Sequence, residues 1–110
     1  MMNQSISIEQ DESKWQEQEL QHRIRATSAI LHMARLQNEV MQEKASEKIP
    51  WYHSEVTERE LLDGLQSQVD WLDELLSRPS TPGQVIRACV HIANFAVMIV
   101  DKMESSMGEI

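Results

Sequence analysis

Glycine, proline and aromatic side chains are scarce in this sequence of 110 residues. There are three glycines and three prolines, and the prolines fall between the periodic apolar segments. Because proline and glycine interrupt regular structure, this scarcity favours a few long helices over many strands. The sequence therefore predicts an all-α fold, and a chain of this length fits one domain.

Basic residues and cysteine are also in short supply. The chain has 10 Lys and Arg against 18 Asp and Glu, a formal net charge of -8, and Cys89 is its single cysteine. A chain this acidic repels a polyanionic backbone, so nucleic acid is not expected as a partner. One cysteine forms no internal disulfide, and within an apolar run it is expected to serve packing. These features fit the reducing cytoplasm.

Long uninterrupted apolar runs and secretion signals are missing as well. The most apolar stretch, Val85–Val100, contains three polar residues and is shorter than the roughly 20 residues that a bilayer-spanning helix needs, so no membrane segment is expected. Residues 1–12 have neither the basic flank nor the apolar core of a signal peptide. The predicted division is a flexible tail at 1–12, a helical domain at 13–104 and a second tail at 105–110.

Two helices are predicted before residue 77. The first is expected to start near Ser13, which fits a capping box with Gln16, and to run toward Ala45, with a possible break because its apolar stripe is loose. The second is expected to start after Thr57, which with Glu60 fits another capping box. Its leucines and valine recur at spacings of three and four, as on one face of a helix.

The third helix is predicted to start at Pro82, behind a Thr81 cap with Gln84 as its reciprocal partner. From Val85 to Met103 it is apolar nearly all round. A helix without a solvent-facing stripe must be covered from several sides. In a chain this small, we expect part of that cover to come from another subunit.

Two segments of the sequence resemble one known family. One contains Lys44, Trp51 and the stretch Glu60-Leu-Leu-Asp-Gly-Leu-Gln-Ser-Gln-Val-Asp-Trp-Leu72; the other is Ala88-Cys-Val-His-Ile-Ala-Asn-Phe-Ala-Val-Met-Ile-Val-Asp101. They are similar to the lysine, the tryptophan, the Leu-x-x-Glu-Glu-x-x-Glu-Leu helix and the Glu-x-x-Asp-Val-Ala-Asn-Phe-Ala-Met-Met-Ile-Ala-Asp helix of phage-type MazG-like nucleoside-triphosphate pyrophosphohydrolases. The directly matching residues of the second segment are Asn94, Phe95, Ala96, Met98, Ile99 and Asp101.

The resemblance implies a helical bundle that assembles as a dimer or higher homo-oligomer, with a nucleotide site between its second and third helices. Family members hold magnesium there with carboxylates, the oxygen ligands that this ion prefers. Five of those positions carry other residues in this chain: Ser67, Gln68, Trp71, Ala88 and His91. We therefore expect no catalytic residue, metal or cofactor, and a protein that binds a nucleotide, or a cyclic or modified nucleotide, without hydrolysing it. A phage protein that sequesters a host signal would fit.

The residues expected to bind this ligand are Lys44, Lys48, Trp51, Ser67, Gln68, Trp71, His91 and Asn94. Several of them have a second interpretation. The lysines also fit solvated charges, and Trp51 fits an anchor for the segment that joins the first two helices. Trp71 fits a filler of the space that magnesium has left, and His91 fits a hydrogen-bonded core histidine.

Two other functions stay open at this point. In the first, the function is structural: the ligand site has collapsed around Trp71, and the chain serves as an oligomer or as an acidic partner for another protein. Alternatively, an enzyme has rebuilt its site from Asp63, Asp70, Asp73, Glu74 or Asp101. The rebuilt site requires a shifted register that exposes Leu65, Val69 and Leu72, which costs about 1.5–3 kcal/mol for each buried side chain.

Overall fold

The computed structural model describes residues 2–45 and 50–108, with side chains from Glu12 onward. Within these residues the chain forms three helices and no strand, which confirms the predicted all-α class. The helices are α1 (Met2–Lys44), α2 (Glu58–Leu76) and α3 (Pro82–Gly108).

The predicted start of the first helix is wrong. α1 begins at Met2, so Ser13 lies inside the helix, and the predicted N-terminal tail is helical from Met2 onward. Inside a helix each backbone N–H is hydrogen-bonded to the carbonyl four residues back. Near Ser13 there is therefore no unpaired N–H group that its side chain could cap. The predicted C-terminal tail is also helical as far as Gly108.

The chain divides into two compact units, Met1–Ala34 and Arg35–Ile110. In the first unit the side chains from Glu12 to Ala34 are exposed, apart from partial burial at Ala26 and Met33. The second unit holds the end of α1, α2, α3 and the segment between α1 and α2, and it contains every buried side chain that the structure describes.

Two threonines fix the starts of α2 and α3, as the sequence predicts. Thr57 accepts a hydrogen bond from the backbone N–H of Glu60 at 3.2 Å. At α3, Thr81 Oγ1 accepts from the N–H of Gln84 at 3.3 Å, while Gln84 Oε1 accepts from the N–H of Thr81 at 3.2 Å. This reciprocal pair is a capping box, and it fixes the residue at which the helix starts.

α2 and α3 pack against each other through a small apolar core and one close approach of the backbone. A Cβ atom on Gly64 would lie 2.5 Å from Cε1 of Phe95, so the phenyl ring occupies the place of a side chain. The buried apolar side chains of the unit are Val40, Leu61, Leu75, Ala88 and Val90. Because the ring rests on the glycine, the two helices come close along one side of α3.

The end of α1 contacts a different side of α3. Asn94 Nδ2 donates a hydrogen bond to the carbonyl oxygen of Gln37 at 3.4 Å, and Arg87 forms an ion pair with Glu43 at 3.3 Å. These contacts hold residues 35–44 beside the first half of α3.

By length and composition, α3 is the one helix in the described part of the chain that could cross a membrane. The sequence predicts an apolar run that is too short to span a bilayer, but the helix that contains this run is 27 residues long. The finding is weak on its own, because a core helix of a non-membrane protein passes the same test. It does show how apolar α3 is, and few residues of its most apolar stretch are buried.

Candidate functional site

A small cleft lies between α2 and α3. Its volume is about 220 Å³, and its walls are Gln68, Trp71, Gln84, Arg87, Ala88 and His91. Gln68 and Trp71 are three residues apart on α2, and Gln84, Arg87 or Ala88, and His91 follow at helical spacing on α3. Ligand sites for whole small molecules usually measure about 300–1,000 Å³, so this cleft has room for part of a ligand.

The structure brings three of the predicted ligand-binding residues together. Gln68 and Trp71 on α2 face His91 on α3 across the cleft, with Ala88 beside them. Ser67 is exposed on α2 and does not line the cleft. Gln68 and Trp71 come from one segment of the sequence and His91 from another, and the hairpin of α2 and α3 places the three on one surface.

The other predicted residues lie elsewhere. Asn94 is only 3% exposed and donates a hydrogen bond to the carbonyl oxygen of Gln37 in α1. Lys44 is exposed at the end of α1. Lys48 lies outside the described residues. Neither Asn94 nor Lys44 is among the residues that line the cleft.

Trp51 anchors the segment between α1 and α2 to the second half of α3. Its indole Nε1 donates a hydrogen bond to Asp101 Oδ2 at 3.1 Å. Lys102 Nζ donates to the carbonyl oxygens of His53 at 3.0 Å and of Trp51 at 3.4 Å. Of the two interpretations of Trp51, this geometry favours the anchor.

Trp71 forms one wall of the cleft and stays partly open to solvent. Its side chain is 38% exposed, and the guanidinium carbon of Arg78 lies 5.2 Å from the ring centroid. A cation over an indole face is attracted to it, by about 0.5–1 kcal/mol at an exposed site. The ring therefore borders an open cleft, and the guanidinium of Arg78 lies over the ring.

The sequence interpretation missed Gln84 and Arg87. Both lie on the turns of α3 that precede His91, at spacings that place them on the same side of the helix. Helical periodicity counted backward from His91 would have found them. Arg87 matters most, because it is the one charged side chain among the six that line the cleft.

The cleft does not fit magnesium. Its walls offer amide, imidazole, indole and guanidinium groups, whereas magnesium prefers carboxylate oxygens and water. Across the described ranges, no group of three or more His, Cys, Asp or Glu side chains is placed to hold a metal. The carboxylates considered for a rebuilt site are not among the lining residues. Asp63 forms an ion pair with Arg59 at 3.3 Å, and Asp101 accepts a hydrogen bond from Trp51.

Asn94 carries a buried polar atom that is unsatisfied. Its Oδ1 has no hydrogen-bond partner, and its Nδ2 makes the single long bond to Gln37. An unsatisfied buried acceptor costs about 1–3 kcal/mol.

We expect Asn94→Leu, which has nearly the same shape, to raise the free energy of unfolding by about 1 kcal/mol in urea titrations. Asn94→Asp should lower it, because it buries a charge; a loss of stability in Asn94→Leu would contradict the prediction.

Compared with protein-family models, curated proteins and solved structures, the chain matches none.

Proposed function

We propose that the cleft binds the phosphorylated part of a nucleotide, or of a cyclic or modified nucleotide, without a metal and without hydrolysis. The observation that carries this proposal is the composition of the cleft wall. In a chain of net charge -8, the six lining residues include an arginine and no carboxylate. The protein would then be a MazG-like protein that has exchanged magnesium chemistry for capture.

Arg87 uses Nη2 in its ion pair with Glu43 at 3.3 Å, and the other N–H groups of its guanidinium, together with the two glutamines, supply the donors that a phosphate group needs. A guanidinium presents several N–H donors in a fixed fork that matches phosphate oxygens, and such charge-assisted bonds are about twice as strong as neutral ones. The amides of Gln68 and Gln84 add neutral donors from the two facing helices. A carboxylate-lined cleft would repel the same phosphate unless a cation were present.

Trp71 offers a surface for the base. Stacking of a base on an aromatic side chain contributes about 1–3 kcal/mol and tolerates any base. The ring is 38% exposed, and a base that stacks on it replaces the contact with Arg78, which contributes about 0.5–1 kcal/mol. A cleft of about 220 Å³ encloses the phosphate side of a nucleotide, and the rest of the ligand lies over its rim.

The resemblance to the MazG-like family supports the same site. Gln68, Trp71, Ala88 and His91 stand where the family has carboxylates, and all four line one cleft. A capture protein without turnover acts in stoichiometric amounts. Sequestration of a host signal by a phage protein in the cytoplasm, and assembly as a homo-oligomer, belong to this proposal.

A thermal-shift panel tests the proposed function. The purified chain is heated with nucleoside mono-, di- and triphosphates and with cyclic mono- and dinucleotides, once with magnesium and once with a chelator. A ligand at 100 times its Kd stabilises the native state by about 2.7 kcal/mol, which raises Tm by several degrees. We expect at least one ligand to give this shift equally in both conditions, and chromatography to recover it intact.

A shift that requires magnesium and is accompanied by release of pyrophosphate would show an enzyme and contradict the proposal. A panel without any shift would favour the structural function instead.

A further inference from the structure

The turn between α2 and α3 places a second arginine beside the cleft. Arg78 is exposed and directly precedes Pro79, which disfavours helical backbone at the residue before it. The hydroxyl of Ser80 donates hydrogen bonds to the carbonyl oxygens of Leu75 at 2.8 Å and of Arg78 at 3.4 Å. The proline and these two bonds fix the backbone of Arg78 just after the end of α2.

The guanidinium of Arg78 lies on an aromatic ring rather than on a carboxylate. Its carbon is 5.2 Å from the ring centroid of Trp71. Glu74 is four residues before Arg78, a spacing that often gives an ion pair. Yet no ion pair joins Arg78 to a carboxylate among residues 12–45 or 50–108. A cation over an indole is held by its charge, so this contact leaves the N–H groups of the guanidinium available to an anion.

Two arginines therefore flank the same indole ring. Arg87 lines the cleft together with Trp71. Arg78 contacts Trp71 but is not among the lining residues, so its guanidinium lies outside the cleft. Residues 50–108 contain four Lys and Arg, and two of the four adjoin this one ring. In a chain of net charge -8, this is a local concentration of positive charge.

We propose that the ligand of the cleft is a nucleoside with two separate phosphate groups, one on each side of its ribose. Arg87 binds one phosphate in the cleft, the base stacks on Trp71, and Arg78 binds the other phosphate outside the cleft. The base displaces the guanidinium of Arg78 from the ring, and its N–H groups then turn to the second phosphate. This inference rests on the proposed function and specifies the class of its ligand.

Consecutive phosphates fit this arrangement less well. The two groups of a diphosphate share a bridging oxygen, so both would lie on the Arg87 side of the base, in a cleft of about 220 Å³. The 3′- and 5′-oxygens of a ribose belong to different carbon atoms, and phosphates attached there point apart. Each of them can meet one arginine, in the fork geometry that suits phosphate oxygens.

Calorimetric titrations in chelator test the ligand class. The probes are the 5′-monophosphates, 5′-diphosphates and 3′,5′-bisphosphates of adenosine, guanosine, cytidine and uridine. Because a second phosphate adds a charge-assisted contact, we expect at least one bisphosphate to bind about tenfold more tightly than its monophosphate, and the diphosphate to gain less than about threefold. A cyclic dinucleotide, whose phosphates are also apart, shows whether the source is a free nucleotide or a dinucleotide.

Arg78→Gln assigns the gain to this side chain. Glutamine keeps an N–H donor but loses the charge and the fork. Affinity for the bisphosphate should fall about tenfold, to that of the monophosphate. Affinity for the monophosphate should stay or rise slightly, because the base no longer displaces a guanidinium. Arg59→Gln removes the same charge from an exposed position of α2 that does not line the cleft, and it should change neither affinity.

Three results would overturn the proposal, and they differ in what they say of the proposed function. Equal affinities for mono- and bisphosphates that are both lost in Arg87→Glu would leave the proposed function standing. A diphosphate that gains as much as the bisphosphate, and loses this gain in Arg78→Gln, would show consecutive phosphates. Binding of no probe at millimolar concentration would overturn the proposed function as well.

Discussion

Replacing Arg87 by glutamate should weaken binding of a phosphorylated ligand by about 10- to 100-fold. A hydrogen bond to a charged group contributes about 1.5–3 kcal/mol, and each 1.4 kcal/mol changes Kd tenfold. The substitution removes that bond and places a negative charge in the cleft wall. Titration by calorimetry in chelator, with the ligand identified by the thermal panel, measures the change.

Arg59→Glu is a closely matched control. Arg59 is exposed and pairs with Asp63 at 3.3 Å, as Arg87 pairs with Glu43 at the same distance, but it does not line the cleft. Both variants lose one surface ion pair, which is worth about 0–1 kcal/mol, and both change the net charge equally. Equal losses of affinity would mean that long-range charge, rather than contact in the cleft, governs binding.

Local signals in the sequence predicted the parts of the fold that depend on neighbouring residues. The caps at Thr57 and Thr81 lie where their patterns place them, since each cap involves residues three apart. The same pattern failed at Ser13, because the residues before it continue the helix and leave nothing to cap. Non-helical residues precede both threonines, whereas residues 2–12 before Ser13 are already helical.

The sequence predicted part of the cleft, through the resemblance to a known family. The resemblance gave positions on two helices, and Gln68, Trp71 and His91 do meet. Arg87 was missed because the resemblance indicates the positions of the lost carboxylates and not the neighbouring residues that share their side of α3. The contact between Phe95 and Gly64 was also missed: nothing in the sequence shows which glycine has a ring from a distant helix resting on it.

Gly64→Ala should destabilise the fold, although alanine is the better helix former. In the interior of a helix, alanine is favoured over glycine by roughly 0.5–1 kcal/mol. Here its Cβ would lie 2.5 and 2.6 Å from two ring atoms of Phe95, so the ring must move out of its contact with α2. Forcing extra atoms into a packed contact costs about 1–3 kcal/mol, occasionally more. We expect a net loss of about 1–2 kcal/mol, measured by urea unfolding.

A double-mutant cycle with Phe95→Leu assigns that loss to the ring. Leucine lacks the far ring atoms, so Gly64→Ala in the Phe95→Leu background should cost less, or even stabilise the chain through its helix propensity. Gly83→Ala is the control, since a Cβ there meets nothing nearer than Thr81 Oγ1 at 4.0 Å, and it should be neutral or stabilising. If Gly64→Ala stabilises the unaltered chain as Gly83→Ala does, the ring is not resting on Gly64. The close packing of α2 on α3 that forms the cleft would then be wrong, and Arg87 would not line a ligand site.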